Sequence, residues 1–191
     1  PPHLDSLAVC QTLDPEKDVD AITVGSMGGL LARLEMGYPP CTPTACLELL
    51  RFYHIPMEGQ KIAVVGKSLT VGLPTALLMM NEEATVSVCH ILSQPEDTRK
   101  LCQQADIVIS AAGCAGLIKA DYVRPGQVVV DVGVNVGKDG VMRGDAAFEE
   151  VEPIVKAITP VPGGVGAITS TVLMAHVVEA AMRQKGLKKQ R

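Results

Sequence analysis

The sequence predicts an α/β fold in which a doubly wound parallel sheet carries helices on both faces. Short apolar runs without polar alternation recur along the chain, and this pattern is typical of strands buried on both sides. Segments with helical spacing separate these runs, as in parallel sheets built from strand–helix–strand units. A strand, a glycine and a helix follow one another over residues 62–80, which is how such a fold begins.

The first 40 residues are mixed in composition and predict few elements. A short helix is expected near Leu4–Thr12, followed by a charged turn at Asp14–Asp18 and a glycine-rich stretch, VGSMGGLL. From residue 41 onwards the pattern becomes regular. Thr42 is the predicted N-cap of a helix and Pro43 its first residue, because these residue types favour those two positions.

Strands and helices then alternate along the rest of the chain. The strands are predicted at KIAVVG, ATVSVCH, DIVISAAG, QVVVDVGVN and AITPVP. The helices are predicted at ACLELLRFYHI, VGLPTALLMMN, PEDTRKLCQQA and ITSTVLMAHVVEAAMRQK. The basic residues of the tail, Lys185, Lys188, Lys189 and Arg191, are expected to form a solvated helix end, which the helix dipole favours.

Composition excludes several classes of protein. The chain has 191 residues, which correspond to one domain and about a quarter of another. Its formal net charge is −4 and it has 2 Phe, 3 Tyr and no Trp, so we expect no nucleic-acid partner. The 6 cysteines form no C-x-x-C pair and no cluster with histidine, which favours buried thiols in a reducing cytosol over a metal site. No apolar run reaches the roughly 20 residues of a membrane span, and the first residues do not resemble a secretory signal, so we expect a cytoplasmic protein without a membrane partner.

A glycine-rich turn after the first predicted strand is a candidate phosphate-binding loop. It runs from Gly66 to Gly72 with Lys67 and Ser68 between them. Gly66 allows the sharp turn out of the strand, and Gly72 allows the next helix to lie close to the sheet. Ser68 and the backbone N–H groups at the helix start can hold phosphate oxygens. An ordinary strand–turn–helix corner is the alternative interpretation.

The end of the second predicted strand bears on the choice of nucleotide. An NAD site usually has an acidic residue there, which binds the ribose 2′-hydroxyl. The strand ends instead in Cys89-His90-Ile91-Leu92, without a carboxylate. Lys67 is the nearest candidate cation for a 2′-phosphate and His90 is another, so the sequence favours NADP over NAD. A histidine in a surface turn is the alternative interpretation of His90.

Several segments together resemble one family, the bifunctional methylenetetrahydrofolate dehydrogenase/methenyltetrahydrofolate cyclohydrolases. The similar segments are PEKDVD, PCTP, VVGKSLTVGLP, SAAG, DVGVN, Gly144-Asp145 and TPVPGGVG, which is the most specific. They occur in the family's order over nearly the whole chain. The resemblance implies a Rossmann-like NAD(P)-binding domain and a second, amino-terminal α/β substrate domain, with the folate cleft between them.

This resemblance also implies a domain organisation. Residues 1–40 are expected to be a remnant of the substrate domain, residues 41–160 the NAD(P)-binding domain, and residues 161–191 the folate-cleft loop and a closing helix. The resemblance implies that most of the substrate domain is absent from this chain, which begins at Pro1 without a Met. That part carries the family's catalytic lysine, a tyrosine and a glutamine, and no residue of this chain is assigned a catalytic role.

The activity implied by the resemblance has two steps. The first is NADP-dependent oxidation of 5,10-methylenetetrahydrofolate to 5,10-methenyltetrahydrofolate, with NAD as a possible cofactor. The second is hydrolysis of the methenyl compound to 10-formyltetrahydrofolate. A homodimer is implied as well. The residues implied in folate binding are Asp20, Pro160, Val161, Pro162, Gly163 and Gly164, and those implied in cofactor binding are Gly66, Lys67, Ser68, Gly72, His90, Ile91 and Val134.

The sequence also departs from the family at several positions, and alternatives remain. Ala21 stands where the family usually has a glycine after the aspartate, which is Asp20 here. Lys67 stands where the family usually has an arginine, and Ile91 where many members have a small polar residue. Ala167-Ile168 replaces a usual Pro-Met after the glycine-rich loop. One alternative is a non-catalytic nucleotide-binding module or pseudoenzyme of the same fold. Another is a two-domain dehydrogenase acting on shikimate or an amino acid, against which the PVPGGVG segment argues.

Overall fold

The computed structural model describes residue 3 and residues 5–187 of the chain. Of the predicted solvated helix end, Lys185 is described and is exposed, whereas Lys188, Lys189 and Arg191 lie outside the described residues. Leu4, where the first helix is expected to begin, lies outside them too.

A parallel sheet of five strands forms the centre of the molecule, in the order β2 (Thr85–Cys89), β1 (Lys61–Val65), β3 (Ile107–Ser110), β4 (Val128–Asp131) and β7 (Ala157–Ile158). All four strand pairings are parallel. The central strand β1 pairs with β2 on one side and β3 on the other, so Ile62 lies between Val86 and Ile107.

Helices pack on both faces of this sheet, as predicted. Alternate residues of each central strand point to opposite faces, so Ile62 and Val64 join one core cluster while Ala63 and Val65 join the other. The helices are α1 (Ser6–Thr12), α2 (Val24–Ala32), α3 (Cys41–Phe52), α4 (Gly72–Asn81), α5 (Pro95–Gln104), α6 (Phe148–Val151) and α7 (Val165–Gln184). The first cluster contains buried residues of α3, α4 and α7, and the second contains Cys102 of α5.

Some elements differ from the sequence-based expectation. The glycine-rich stretch forms α2, which has Thr23 as its N-cap and contacts α4. Helix α3 begins at Cys41 with Pro40 at the N-cap, so the prediction of Thr42 as N-cap is wrong. Two short strands, β5 (Asn135–Val136) and β6 (Met142–Arg143), form an antiparallel hairpin that the apolar pattern does not predict.

Helix α7 is long and apolar enough to cross a membrane by length and composition alone. This differs from the expectation that no apolar run reaches that length. The same composition occurs in core helices, and α7 buries Val172, His176 and Ala180 while making extensive contact with α3. Length and composition are therefore weak evidence for a membrane span here.

Candidate functional site

A cavity of about 370 Å³ lies at the carboxyl ends of β1 and β3. The chain leaves β1 for β2 on one side and later returns to β3 on the other, so this is the point at which the strand order reverses. Open α/β sheets bind ligands at such a point. Five of the predicted cofactor residues line the cavity together, namely Gly66, Lys67, Ser68, His90 and Ile91.

Two glycines allow the turn between β1 and α4 to be this tight. Gly66 has φ +130°, and a Cβ there would overlap the carbonyl oxygen of Ala111. A Cβ on Gly72 would overlap the carbonyl oxygen of Gly66. Gly72 lies behind the turn and outside the residues that line the cavity. Its place supports a role in shaping the turn, so any effect on a ligand would be indirect.

Several backbone N–H groups of the turn have no acceptor among the described residues. Ser68 Oγ accepts the backbone N–H groups of Val71, at 3.1 Å, and Gly72, at 3.3 Å, and so caps α4. Within the described part of the chain, nothing accepts the backbone N–H groups of residues 67–70. The Ser68 hydroxyl can still donate its own hydrogen. Free N–H groups at the start of a helix form an anion site, so a phosphate would fit this turn.

The lip of the cavity after β2 is polar at one residue and apolar at the next. His90 Nδ1 accepts the backbone N–H of Leu92 at 3.2 Å, so its ring is held and its other nitrogen can donate. The Ile91 side chain is 96% exposed. Among the described residues that line the cavity, Lys67 is the only lysine or arginine, and none carries a carboxylate.

A buried carboxylate holds the loop after β3, which lines this cavity. Asp145, 0% exposed, accepts backbone N–H groups from the loop after β3, at 2.6 Å from Ala112, 3.1 Å from Gly113 and 2.8 Å from Cys114. The Asn135 amide also donates to Asp145, at 2.9 Å. Sequence reasoning noted the Gly144-Asp145 pair only as a family feature and missed this role.

A second cavity, of about 270 Å³, lies against the predicted folate loop. Its lining includes Pro160, Val161, Pro162, Gly163 and Gly164, and the peptide bond between Val161 and Pro162 is cis. Val134, predicted as a cofactor contact, lines this cavity and not the one beside the phosphate turn. Because Val134 follows β4, the second cavity opens at the same edge of the sheet as the first.

A third and larger cavity, of about 410 Å³, lies beside the edge strand β7. Leu49, Leu50 and Ile168 contribute to its mostly apolar wall. It shares Pro160 and Gly164 with the second cavity, so the two cavities adjoin the same loop. Neither the phosphate turn nor Val134 lines it, and we therefore place the candidate site in the first two cavities.

Asp20 lies at the start of α3, outside these cavities. Its Oδ1 accepts the backbone N–H of Cys41 at 2.7 Å, so a side chain from 21 residues earlier caps that helix. Its carboxylate is exposed and can accept further hydrogen bonds. Ala21, buried beside it, has φ +52°, in the region that favours glycine. Burial and then the Asp20 carboxylate raise the pKa of the Cys41 thiol to about 12.

Asp18 organises the loop that contains Asp20. This carboxylate is 1% exposed and accepts the backbone N–H groups of Ile22 and Thr23 and the Ser26 hydroxyl, at 3.0, 2.8 and 2.7 Å. Burial alone would raise its pKa, but these hydrogen bonds outweigh burial and lower it. The carboxylate is therefore ionised in the folded protein and holds the loop closed around itself.

The comparisons with known proteins agree with this geometry. Residues 40–185 match the family model described as the NAD(P)-binding domain of tetrahydrofolate dehydrogenase/cyclohydrolase. The chain belongs to this family. The predicted family and the predicted Rossmann-like α/β fold are thereby confirmed, and the alternative of a shikimate or amino-acid dehydrogenase is set aside.

Individual family members are similar over almost the whole chain. The bifunctional protein FolD of Carboxydothermus hydrogenoformans is 48% identical over 189 residues, which are 98% of this chain and 65% of that protein. The crystal structure of FolD from Campylobacter jejuni, 41% identical, superposes with a TM-score of 0.93 over 96% of this chain and 64% of its own. The Trypanosoma brucei enzyme, solved with NADP cofactor and inhibitor, is 34% identical, with a TM-score of 0.90 over 96% of this chain and 64% of its own. The chain thus spans just under two thirds of the length of these relatives.

Proposed function

We propose that this chain provides the cofactor site and part of the folate site of a bifunctional enzyme. The enzyme oxidises 5,10-methylenetetrahydrofolate with NADP and hydrolyses the resulting 5,10-methenyltetrahydrofolate to 10-formyltetrahydrofolate. The observation that carries the proposal is the turn between β1 and α4, where no described residue accepts the backbone N–H groups beside Lys67 at the reversal point of the sheet. Relatives named for both activities support it.

The residues of the first cavity fit NADP. The backbone of residues 67–70 and the Ser68 hydroxyl would hold the diphosphate, and the absence of a Cβ at Gly66 keeps the turn narrow. Lys67 and the donor nitrogen of His90 would meet the 2′-phosphate, while Ile91 offers an apolar surface to the adenosine. Bound NADP would supply the hydride acceptor, and the protein's part in that step is alignment of the two rings.

The folate would be held from two directions. The Asp20 carboxylate can accept paired N–H groups of a pterin ring, since a carboxylate matches an aminopyrimidinone edge. The loop at residues 160–164 has two glycines through which backbone can approach a flat ring closely. Val134 lies where the second cavity meets the end of β4. We assign the proton transfers of the hydrolysis to no residue of this chain.

Calorimetric titration tests both halves of the proposal. We expect the purified protein to bind NADP, and to bind 5,10-methenyltetrahydrofolate through Asp20. Asp20→Asn keeps an oxygen that can accept the Cys41 N–H but loses the charge, so it should weaken folate binding at least about tenfold and leave NADP binding intact. Asp106→Asn, at the amino end of β3 where Asp106 accepts the Lys61 N–H, is the matched control.

The alternative of a non-catalytic nucleotide-binding module makes a different prediction. Such a module would bind NADP with the same affinity and would show no saturable folate binding. Failure to bind either ligand would contradict both interpretations.

We also propose that the protein is a homodimer located in the cytoplasm. The exposed aromatic rings of Phe52 and Tyr53, 5.1 Å apart, and the edge strand β7 support an interface between copies. All six cysteines are free thiols, which is usual in a reducing compartment. Light scattering during size-exclusion chromatography would test the dimer, and a single species of monomer mass would contradict it.

A further inference from the structure

A buried histidine lies in the middle of the apolar helix α7. His176 is only 8% exposed, and a buried polar group requires a hydrogen-bond partner. Its Nδ1 lies 2.9 Å from the carbonyl oxygen of Val19. A carbonyl oxygen only accepts, so Nδ1 carries a hydrogen and donates it.

The carbonyl that accepts this hydrogen bond belongs to the peptide joining Val19 to Asp20. The Cys41 thiol donates to the same oxygen at 3.4 Å, and its sulfur lies 3.6 Å from His176 Nδ1. On the other side of that peptide, the Asp20 carboxylate accepts the Cys41 N–H at 2.7 Å. Helix α7 therefore contacts the backbone of this segment through His176. Helix α3 contacts both the backbone and the Asp20 side chain through Cys41.

A second contact fastens the far end of the same segment to α7. The Arg183 guanidinium lies 4.3 Å from the centre of the Tyr38 ring and donates to the carbonyl of Gly37 at 3.0 Å. The Tyr38 ring in turn lies 5.3 Å from the His176 ring. Residues from Val19 to Tyr38 are thus attached to α7 at both ends, and His176 takes part in both attachments.

We propose that His176 is a positioning residue for Asp20. It acts through the Val19 carbonyl and fixes the direction in which the Asp20 carboxylate faces a bound folate. Helix α7 also begins directly after the loop at residues 160–164, so one helix sets the relative geometry of the two folate-binding elements. This inference rests on the proposed function for its ligand, although the hydrogen bonds exist without it.

Two substitutions separate positioning from simple packing. His176→Leu fills the same space with an apolar side chain of similar size and removes the hydrogen-bond donor. His176→Asn places an amide nitrogen at the same distance from Cβ as Nδ1 and so retains a donor to the Val19 carbonyl. We expect His176→Leu to weaken binding of 5,10-methenyltetrahydrofolate about tenfold and NADP by less than about twofold, with His176→Asn close to wild type for both.

The amide exchange rate of Cys41, measured by NMR, gives a readout that needs no folate. We expect exchange to be about tenfold faster in His176→Leu, because Asp20 no longer stays in place to accept that N–H, and to be unchanged in His176→Asn. Wild-type folate affinity in His176→Leu would overturn the proposal. Parallel losses of folate and NADP binding in both variants, tracking a fall in Tm, would overturn it too.

The proposed folate binding and the role of His176 can be tested separately. If wild-type protein bound no folate, the proposed function would be wrong, and the Cys41 exchange rates would still decide the role of His176. Fast exchange in His176→Leu with normal exchange in His176→Asn would support positioning. Equal exchange in all three proteins would refute it.

Discussion

The backbone N–H of Asp145 donates to the carboxylate of Asp131 at 2.9 Å, and both side chains are buried. The two aspartates are linked through the backbone. Asp131 accepts the N–H groups of Asp145 and Ala146, and Asp145 accepts N–H groups of the loop that follows β3. Glycines make room for these contacts, because a Cβ on Gly144 would overlap the Asp131 carboxylate and one on Gly133 would overlap that of Asp145. The carboxyl edge of the sheet is therefore shaped by two buried carboxylates.

Asp145→Asn tests the role of this carboxylate in holding the loop after β3. An asparagine has one acceptor oxygen where the aspartate has two, so some of the N–H groups of residues 112–114 would lose their partner. We expect the free energy of unfolding to fall by about 2–3 kcal/mol in urea titrations, and NADP binding to weaken because that loop lines the cofactor cavity. Asp139→Asn, an exposed site paired with Arg143, is the control and should leave stability nearly unchanged, because exposed ion pairs contribute little. Equal effects of the two substitutions would contradict the role of Asp145.

Ala21→Gly should stabilise the protein. Ala21 has φ +52°, and this left-handed conformation costs an L-residue about 1 kcal/mol that glycine does not pay. We expect a gain of about 0.5–1 kcal/mol in thermal or urea unfolding, with folate binding retained because Asp20 keeps its contact with Cys41. The same substitution at Ala181, inside α7, should cost about 1 kcal/mol. A loss of stability at both positions would show that Ala21 is not strained.

The sheet and its covering helices could be predicted from the sequence because they depend on local pattern. Strand β4 begins with a continuous apolar run, Val128–Val130, and the glycines at 66 and 72 mark a turn that only glycine allows. Five candidate cofactor residues lie together because they follow neighbouring strands of one parallel sheet. The topology of the sheet thus brings together residues that are far apart in the chain.

Other features depend on contacts that no local pattern reveals. Thr42 has the residue type of an N-cap, but Asp20 caps α3 from 21 residues away. Helix α2 has a glycine-rich sequence with poor helix propensity, and Gly29 is required there because a Cβ would overlap Met36. The position of His176 in the middle of a helix does not indicate that its side chain donates a hydrogen bond to the Val19 carbonyl. An aspartate ending an apolar strand, as Asp131 does, was the one local signal of the buried carboxylates.

Asp18 should make stability depend on pH in the acid range. Its pKa is lowered from the ordinary value of 3.8 in the folded state, so the unfolded chain takes up the proton first. The stabilisation is present at pH values above about 4 and is lost as the pH falls through the lowered pKa of the folded state. Asp18→Asn should be less stable at neutral pH and should show a shallower loss of stability on acidification. Urea midpoints measured across this range would give parallel curves for the two proteins if Asp18 made no contribution.

Lys67→Ala should affect NADP and NAD differently. Lys67 lies in the phosphate turn and lines the cavity, and Ile91 and Leu92 after β2 offer a 2′-phosphate no charge. We expect NADP to bind about tenfold more weakly to the variant at low salt, whereas NAD affinity should change less than about twofold, because only NADP carries the extra phosphate. Lys61→Ala removes the same charge at the opposite end of β1 and should leave both affinities unchanged. Equal losses for NADP and NAD would place Lys67 on the shared diphosphate, and the preference for NADP would then have to come from the His90 donor nitrogen.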